Sequence, residues 1–183
     1  MRNVTLNYET LVHISKAMSG SRDPEQIIHM TVQSIKEALG VKGCALFLVD
    51  TRSKALEVAA AAGLSNEYLN KGPVSALRSI AASLREGPVA IDDVTDDPRI
   101  QYPEAAQKEG IASILSVPIM MGEEAIGAIR VYTAEKWEFT LEDVNFVQAL
   151  AQIAGTLIDM SRLYQGQKEY IEVLTTMQEA RAM

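Results

Sequence analysis

The chain has 183 residues, enough for one domain with a substantial core, and carries a formal charge of −7 with a pI near 4.9. That balance argues against phosphate-backbone binding, which needs a basic surface, and no apolar run approaches the length that crosses a bilayer. The N-terminus lacks the apolar core of a signal peptide, and Cys44 is the single cysteine. A reducing, cytoplasmic setting without an intrachain disulfide is therefore expected. Leu11, Ile14 and Met18 mark one face of a first helix, which Gly20 and Ser21 break. Asp23-Pro24 opens a second, with Asp23 as cap, Pro24 in the first turn and Gln26 placed for a return bond. Ile28, Val32, Ile35 and Leu39 line one side of it, and Gly40 ends it as a left-handed cap.

The period then changes. Residues 43–49 and 56–62 are short apolar runs joined by the polar turn Asp50-Thr51-Arg52-Ser53, which reads as a β-hairpin. A helix is expected over 74–86, ending at Gly87-Pro88, then a short strand over 89–91 and about two helical turns over 103–109. Residues 112–119 and 125–133 read as strands separated by a turn at Gly122. Thr140 and Asp143 form a capping-box signal for a last helix whose apolar positions run from Val144 through Ile158 and thin out through Tyr164, Ile171, Leu174 and Met177. Such a helix would project beyond a compact domain and call for a partner helix. Strands joined by hairpins, with helices gathered at the ends, give an α+β fold. The terminal helices would pack on one face of the sheet, and the middle helices and the aspartate-rich loop on the other.

Four blocks carry a resemblance: G-P-V-A-I-D-D-V-T-D-D-P-R from Gly87, E-G-I-A-S-I-L-S-V-P-I from Glu109, the A-I-G-A-I-R-V-Y run ending at Tyr132, and F-T-L-E-D-V-N-F-V-Q-A-L-A-Q-I-A from Phe139. In this order and spacing the chain resembles the GAF family of regulatory domains from about Tyr8 to Tyr164. The resemblance implies a six-stranded antiparallel sheet with a pocket on one face and helices on the other. It also implies dimers joined through terminal helices and a role in sensing or relaying a small-molecule signal. A GAF domain is thus expected over 1–164, with a helical signalling or dimerisation extension over 165–183.

The family's ligands are diverse, so each subtype must be tested on residues. Cys44 lies inside the first strand run and reads as a small buried hydrophobe, not as a tetrapyrrole attachment point. One thiol cannot complete a sulfoxide-reducing cycle, which needs a second to resolve the oxidised cysteine. His13 falls opposite the apolar face of its helix and His29 on a flank, so neither suits a haem or metal. Residues 66–71 do not reproduce the Asn-Lys…Phe…Asp-Glu pattern of cyclic-nucleotide binders. No nucleophile–base arrangement can be assembled, and no enzyme is expected.

Period-two alternation separates Gly127, Ile129 and Val131 from Ala128, Arg130 and Tyr132. The first set suits the terminal helices. Arg130 does not, and points to the pocket or an edge, where it would hold an anion or pair with Asp92, Asp93, Asp96 or Asp97. On the strand before it, one of Ser113 and Ser116 could offer a hydroxyl, and alternation alone leaves the choice open. In the 92–102 loop Asp93 is a further candidate, Arg99 would clamp an anion or pair with Asp96, and Tyr102 could stack or hydrogen-bond. The ligand candidates are therefore Asp93, Arg99, Tyr102, Ser113, Ser116, Arg130 and Tyr132, with no metal site and no identifiable cofactor. The functional expectation is a dimeric sensor domain that passes a small-molecule signal to a partner protein; the alternative is a ligand-free interaction module.

Overall fold

The computed structural model describes residues 8–21, 23–50, 52–53, 55–72 and 87–181. The elements are α1 (Tyr8–Ser19), α2 (Pro24–Leu39), β1 (Gly43–Val49), β2 (Leu56–Ala62), α3 (Asn66–Leu69), β3 (Val89–Ile91), α4 (Pro103–Glu109), β4 (Ser113–Met121), β5 (Glu124–Thr133) and α5 (Leu141–Arg181). The helix expected over 74–86 lies outside the described residues.

The sheet is wholly antiparallel with order β2-β1-β5-β4-β3. It has five strands among the described residues, not the six that the resemblance implied. Each of the five is one of the β-rich runs of the sequence. The described part of the next connection goes from β2 into α3, where Ser65 caps the helix by accepting from the Tyr68 amide at 3.1 Å.

The local signals act as written, with one exception. Asp23 accepts from the Glu25 amide at 3.0 Å, and Gly40 closes α2 at φ 61°. Gln26 does not return to the cap; its side chain meets the Ser21 hydroxyl at 2.6 Å, while Ser21 Oγ accepts from the Asp23 amide. At α5 the capping box is complete: Asp143 Oδ2 accepts from the Thr140 amide at 2.9 Å and Thr140 Oγ1 from the Asp143 amide at 3.2 Å. Asp50 closes the β1–β2 turn by accepting from the Arg52 and Ser53 amides.

Alternation divides the core in two. Cys44, Leu46, Leu115, Val117, Ile119, Ile129 and Val131 meet the apolar sides of α1, α2 and α5 in one cluster. Gly127 belongs to this region because β1 passes close by, where a Cβ would stand 2.2 Å from the Phe47 carbonyl oxygen. The opposite face buries Ala45, Phe47, Ile114 and Tyr132 under Tyr68, Val94, Ala106 and Ile111. The 41-residue α5 is about 60 Å long at helical rise. Its last buried position is Ser161; beyond that the described side chains face solvent, including Leu163, Tyr164, Tyr170, Ile171, Leu174 and Met177. None of the helices is long and apolar enough to cross a membrane among the described residues.

Candidate functional site

The face of the sheet turned away from the terminal helices carries the unusual chemistry. Arg130 sits in mid-strand on β5, opposite Ala45 of β1 and Ser116 of β4. These small flanking residues leave space for a guanidinium. Phe47, two positions along β1 from Ala45, takes the diagonal place, and the Arg130 guanidinium carbon lies 4.8 Å from its ring centroid. Arg130 is only 5% exposed, and its Nε and Nη2 have no hydrogen-bond partner. No acidic side chain pairs with it among the described residues.

Two tyrosines and a lysine complete the surroundings. Tyr132, on the same face of β5, meets Tyr68 of α3 edge to face, with centroids 5.7 Å apart at 84°. Just past α3, Lys71 places its amino group 3.7 Å from the Tyr68 ring centroid and donates to the Tyr68 carbonyl at 3.0 Å. Burial, reinforced by the charge of Arg130 and partly offset by Glu109, pulls Lys71 down to about 8. Burial pushes Tyr132 up to about 12 against the favourable charge of Arg130. It raises Tyr68 as well, with Tyr132 adding to the effect. Glu109, at the end of α4, binds the Ser65 amide at 2.9 Å and the Ser65 hydroxyl, and lies 3.8 Å from Lys42. Burial pushes its carboxyl up, but Ser65, Lys42 and Lys71 outweigh that and leave it below the ordinary range.

Of the residues singled out in the sequence, Arg130, Tyr132 and Ser116 share this face. The β4–β5 register puts Ser116 on the Arg130 face, because Ser116 stands opposite Arg130. Ser113 falls on the other side: its hydroxyl donates to the Asp92 carbonyl at 2.6 Å and accepts from the Trp137 amide at 2.8 Å, joining three segments. Asp93 lies in a turn, accepting from the Thr95 amide at 2.9 Å and hydroxyl at 2.6 Å and pairing with Lys136. Lys136, then Thr95, hold its carboxyl well below the usual range. Arg99 pairs with Asp97, not Asp96, through Nε contacts at 2.9 and 3.1 Å, and donates from Nη2 to the Ala90 carbonyl at 3.1 Å. Tyr102 packs against Gly72, beside Lys71 at the margin of the site. Phe47, Tyr68 and Lys71 were missed. The hairpin placed Phe47 on a strand, but nothing local brings α3 over β5.

An open cleft of about 1070 Å³ lies elsewhere, at the β5–α5 junction, lined by Lys42, Lys136, Trp137, Phe139 and Asp143 among others. Two of its charged groups already have partners: Asp143 caps α5 and Lys136 pairs with Asp93. We place the candidate site at Arg130 because, among the described residues, its Nε and Nη2 are the buried side-chain donors left unused, although Tyr132 hydrogen-bonds the same guanidinium. No group of acids, histidines and cysteine fit for a metal occurs among the described residues. His13 and His29 are exposed, and Cys44 is fully buried, its thiol pushed up by burial.

The model of the GAF domain matches residues 21–159. The chain belongs to the GAF family. This is a family of sensor and regulatory domains in signalling proteins. Among solved structures, the GAF domain of a phosphoenolpyruvate-protein phosphotransferase from Coxiella burnetii superposes with a TM-score of 0.79 at 23% identity, covering 90% of this chain and 99% of that one. The corresponding domain from Acinetobacter gives 0.74 at 21% identity, covering 89% and 97%. Free methionine-R-sulfoxide reductase from Neisseria meningitidis, solved in complex with its substrate, gives 0.76 at 23% identity, covering 90% and 95%. At these identities the likeness shows the fold alone. No curated protein matches the chain in sequence.

Proposed function

We propose that this GAF domain is a non-catalytic signalling sensor that binds a small molecule on the Arg130 face and relays its presence through the terminal helices of a dimer. The observation that carries the reading is the contrast between the two faces of one strand. Ile129 and Val131 of β5 join the apolar core shared with α2 and α5, whereas Arg130 and Tyr132 are buried on the other face with Ser116, Tyr68 and Lys71 nearby. A buried guanidinium that engages Tyr132 but leaves Nε and Nη2 unused is expensive, and a site that holds a ligand accounts for it. That a structural neighbour was solved with its substrate bound supports the fold's capacity for small molecules.

The relay follows from connectivity. A ligand against Arg130 loads β5, whose other face packs on α5 and whose end leads through Trp137 and Phe139 into the capped start of that helix. The ligand shifts the helices only through differential affinity for two helix arrangements. The exposed apolar positions Met160, Leu163, Ile171, Leu174 and Met177 recur at three- and four-residue steps and their sums, the pattern of a seam between paired helices. The output is a partner protein met by this extension.

The test is site-directed spin labelling on α5 with distances measured across the dimer, in wild type and Arg130→Ala, before and after adding metabolite extract. A ligand-dependent change in the wild type, absent in the variant, is expected. A dimer whose helix distances never respond would favour the ligand-free interaction module.

A further inference from the structure

The two free nitrogens of Arg130 define more than a site. Nε and Nη2 project their hydrogens from the same edge of the guanidinium, as a pair of parallel donors. The Phe47 ring lies beside the group, its centroid 4.8 Å from the guanidinium carbon. Because the N–H bonds of a guanidinium lie in its plane, an acceptor meets them at the edge. Two parallel coplanar donors match two coplanar oxygens. On the same face lie Ala45, Tyr132 and Tyr68, with Ser116 across the ladder from Arg130.

We propose that the ligand of this site is a small organic carboxylate, bound side-on by Nε and Nη2 of Arg130 with its carbon skeleton against Phe47, Tyr68 and Tyr132. The proposal rests on the reading of this face as a ligand site and adds the chemical class. A carboxylate uses both free donors and leaves no oxygen facing an aromatic ring unbonded. A phosphate would bring further oxygens, and the described residues supply no glycine-rich run of amides to receive them. The second cation, Lys71, lies half-buried beside Tyr68 and is depressed in part by Arg130 itself, so the two positive charges repel across the site. Glu109 opposes this only partly, being engaged by Ser65 and Lys42. One negative charge delivered between Arg130 and Lys71 relieves the repulsion. A neutral amide of the same shape cannot, and it offers an N–H where the Arg130 edge requires an acceptor.

The experiment uses the full chain labelled with ¹⁵N-arginine and follows the Arg130 Nε–H resonance by NMR. Acetate, propionate, succinate and benzoate are titrated at constant ionic strength against propionamide, benzamide and inorganic phosphate, with sodium chloride as reference. At least one carboxylate is expected to shift the resonance saturably, at least tenfold tighter than its amide. Arg130→Lys keeps the charge but loses the paired donors, and should weaken that binding by at least tenfold, read from other pocket resonances. Amides binding as tightly as carboxylates, or phosphate alone binding, would overturn the carboxylate while leaving a ligand site in place. A Nε–H resonance unmoved by every compound, with no ligand retained on purification, would overturn the site as well. The wild-type titration stands even if the lysine variant fails to fold.

Discussion

Replacing Arg130 by methionine should stabilise the ligand-free protein, contrary to the usual sign for a core substitution. Arg130 is 5% exposed and leaves Nε and Nη2 unpartnered. A buried ion of this kind costs several kcal/mol in desolvation even after local relaxation. Against that stand the guanidinium–Phe47 contact, about 0.5–2 kcal/mol, which methionine replaces in part by ordinary packing, and the Tyr132 hydrogen bond, about 1 kcal/mol. The balance favours Arg130→Met by about 1–3 kcal/mol. For a domain of this length that is a rise of roughly 3–10 °C in Tm. The assay is urea and thermal unfolding of protein stripped of ligand by denaturation, dialysis and refolding. Adding a bound ligand should reverse the order, since only the wild type gains from it. A stripped variant less stable than stripped wild type by more than about 1 kcal/mol would mean the opposite, that Arg130 is held by structural partners that outweigh its burial.

Other predictions follow from the same physics. Lys71 is depressed from 10.5 to about 8, so its charged form is disfavoured by folding, and stability tied to it rises with pH between those values. Lys71→Met should thus exceed wild type in stability at pH 7, the gap narrowing by pH 9.5; a constant gap in paired urea titrations would contradict this. Among the described residues the groups that act on Lys71 are Tyr68 of α3, Arg130 of β5 and Glu109 of α4, with Tyr132 against Tyr68. Their tyrosines begin to matter only near or above pH 10. If a bound anion lifts Lys71 by about one unit, ligand affinity falls by about tenfold as pH rises from below 8 to above 9, measurable by calorimetry. Truncation after Tyr164 should weaken dimerisation by at least tenfold in sedimentation, and an equally stable dimer would place the contact elsewhere. Gly127→Ala should cost about 2–4 kcal/mol or abolish folding, since its Cβ would meet the Phe47 carbonyl oxygen in the β1–β5 ladder. Cys44 should react with a thiol reagent only at the rate of unfolding.

What could be read from the sequence was governed by how local the cause is. The Thr140–Asp143 box and the Gly40 cap involve neighbours in the chain and appear as written. Alternation along β5 was enough to separate Arg130 and Tyr132 from Ile129 and Val131, because side-chain direction in a strand is set by period alone. Choosing between Ser113 and Ser116 required a register, a property of two strands, and the Ser116–Arg130 pairing puts Ser116 on the Arg130 face. Lys71 and Tyr68 reach the site because α3 folds back over β5, a contact between distant segments with no periodic trace. Arg99 and Asp93 looked like ligand groups because a turn built from aspartates and an arginine has the same composition as an anion clamp. Their hydrogen bonds to Asp97, Ala90, Thr95 and Lys136 show how such a turn uses its charges internally.

If a small molecule occupies the Arg130 face, native mass spectrometry of freshly purified protein will reveal it. Wild type should carry a small additional mass that is lost on denaturation, and Arg130→Met purified in parallel should carry none. A wild-type protein at the bare polypeptide mass that also fails to take up any carboxylate, phosphate or amide of the titration panel would contradict the account. The buried Arg130 would then belong to an interaction module.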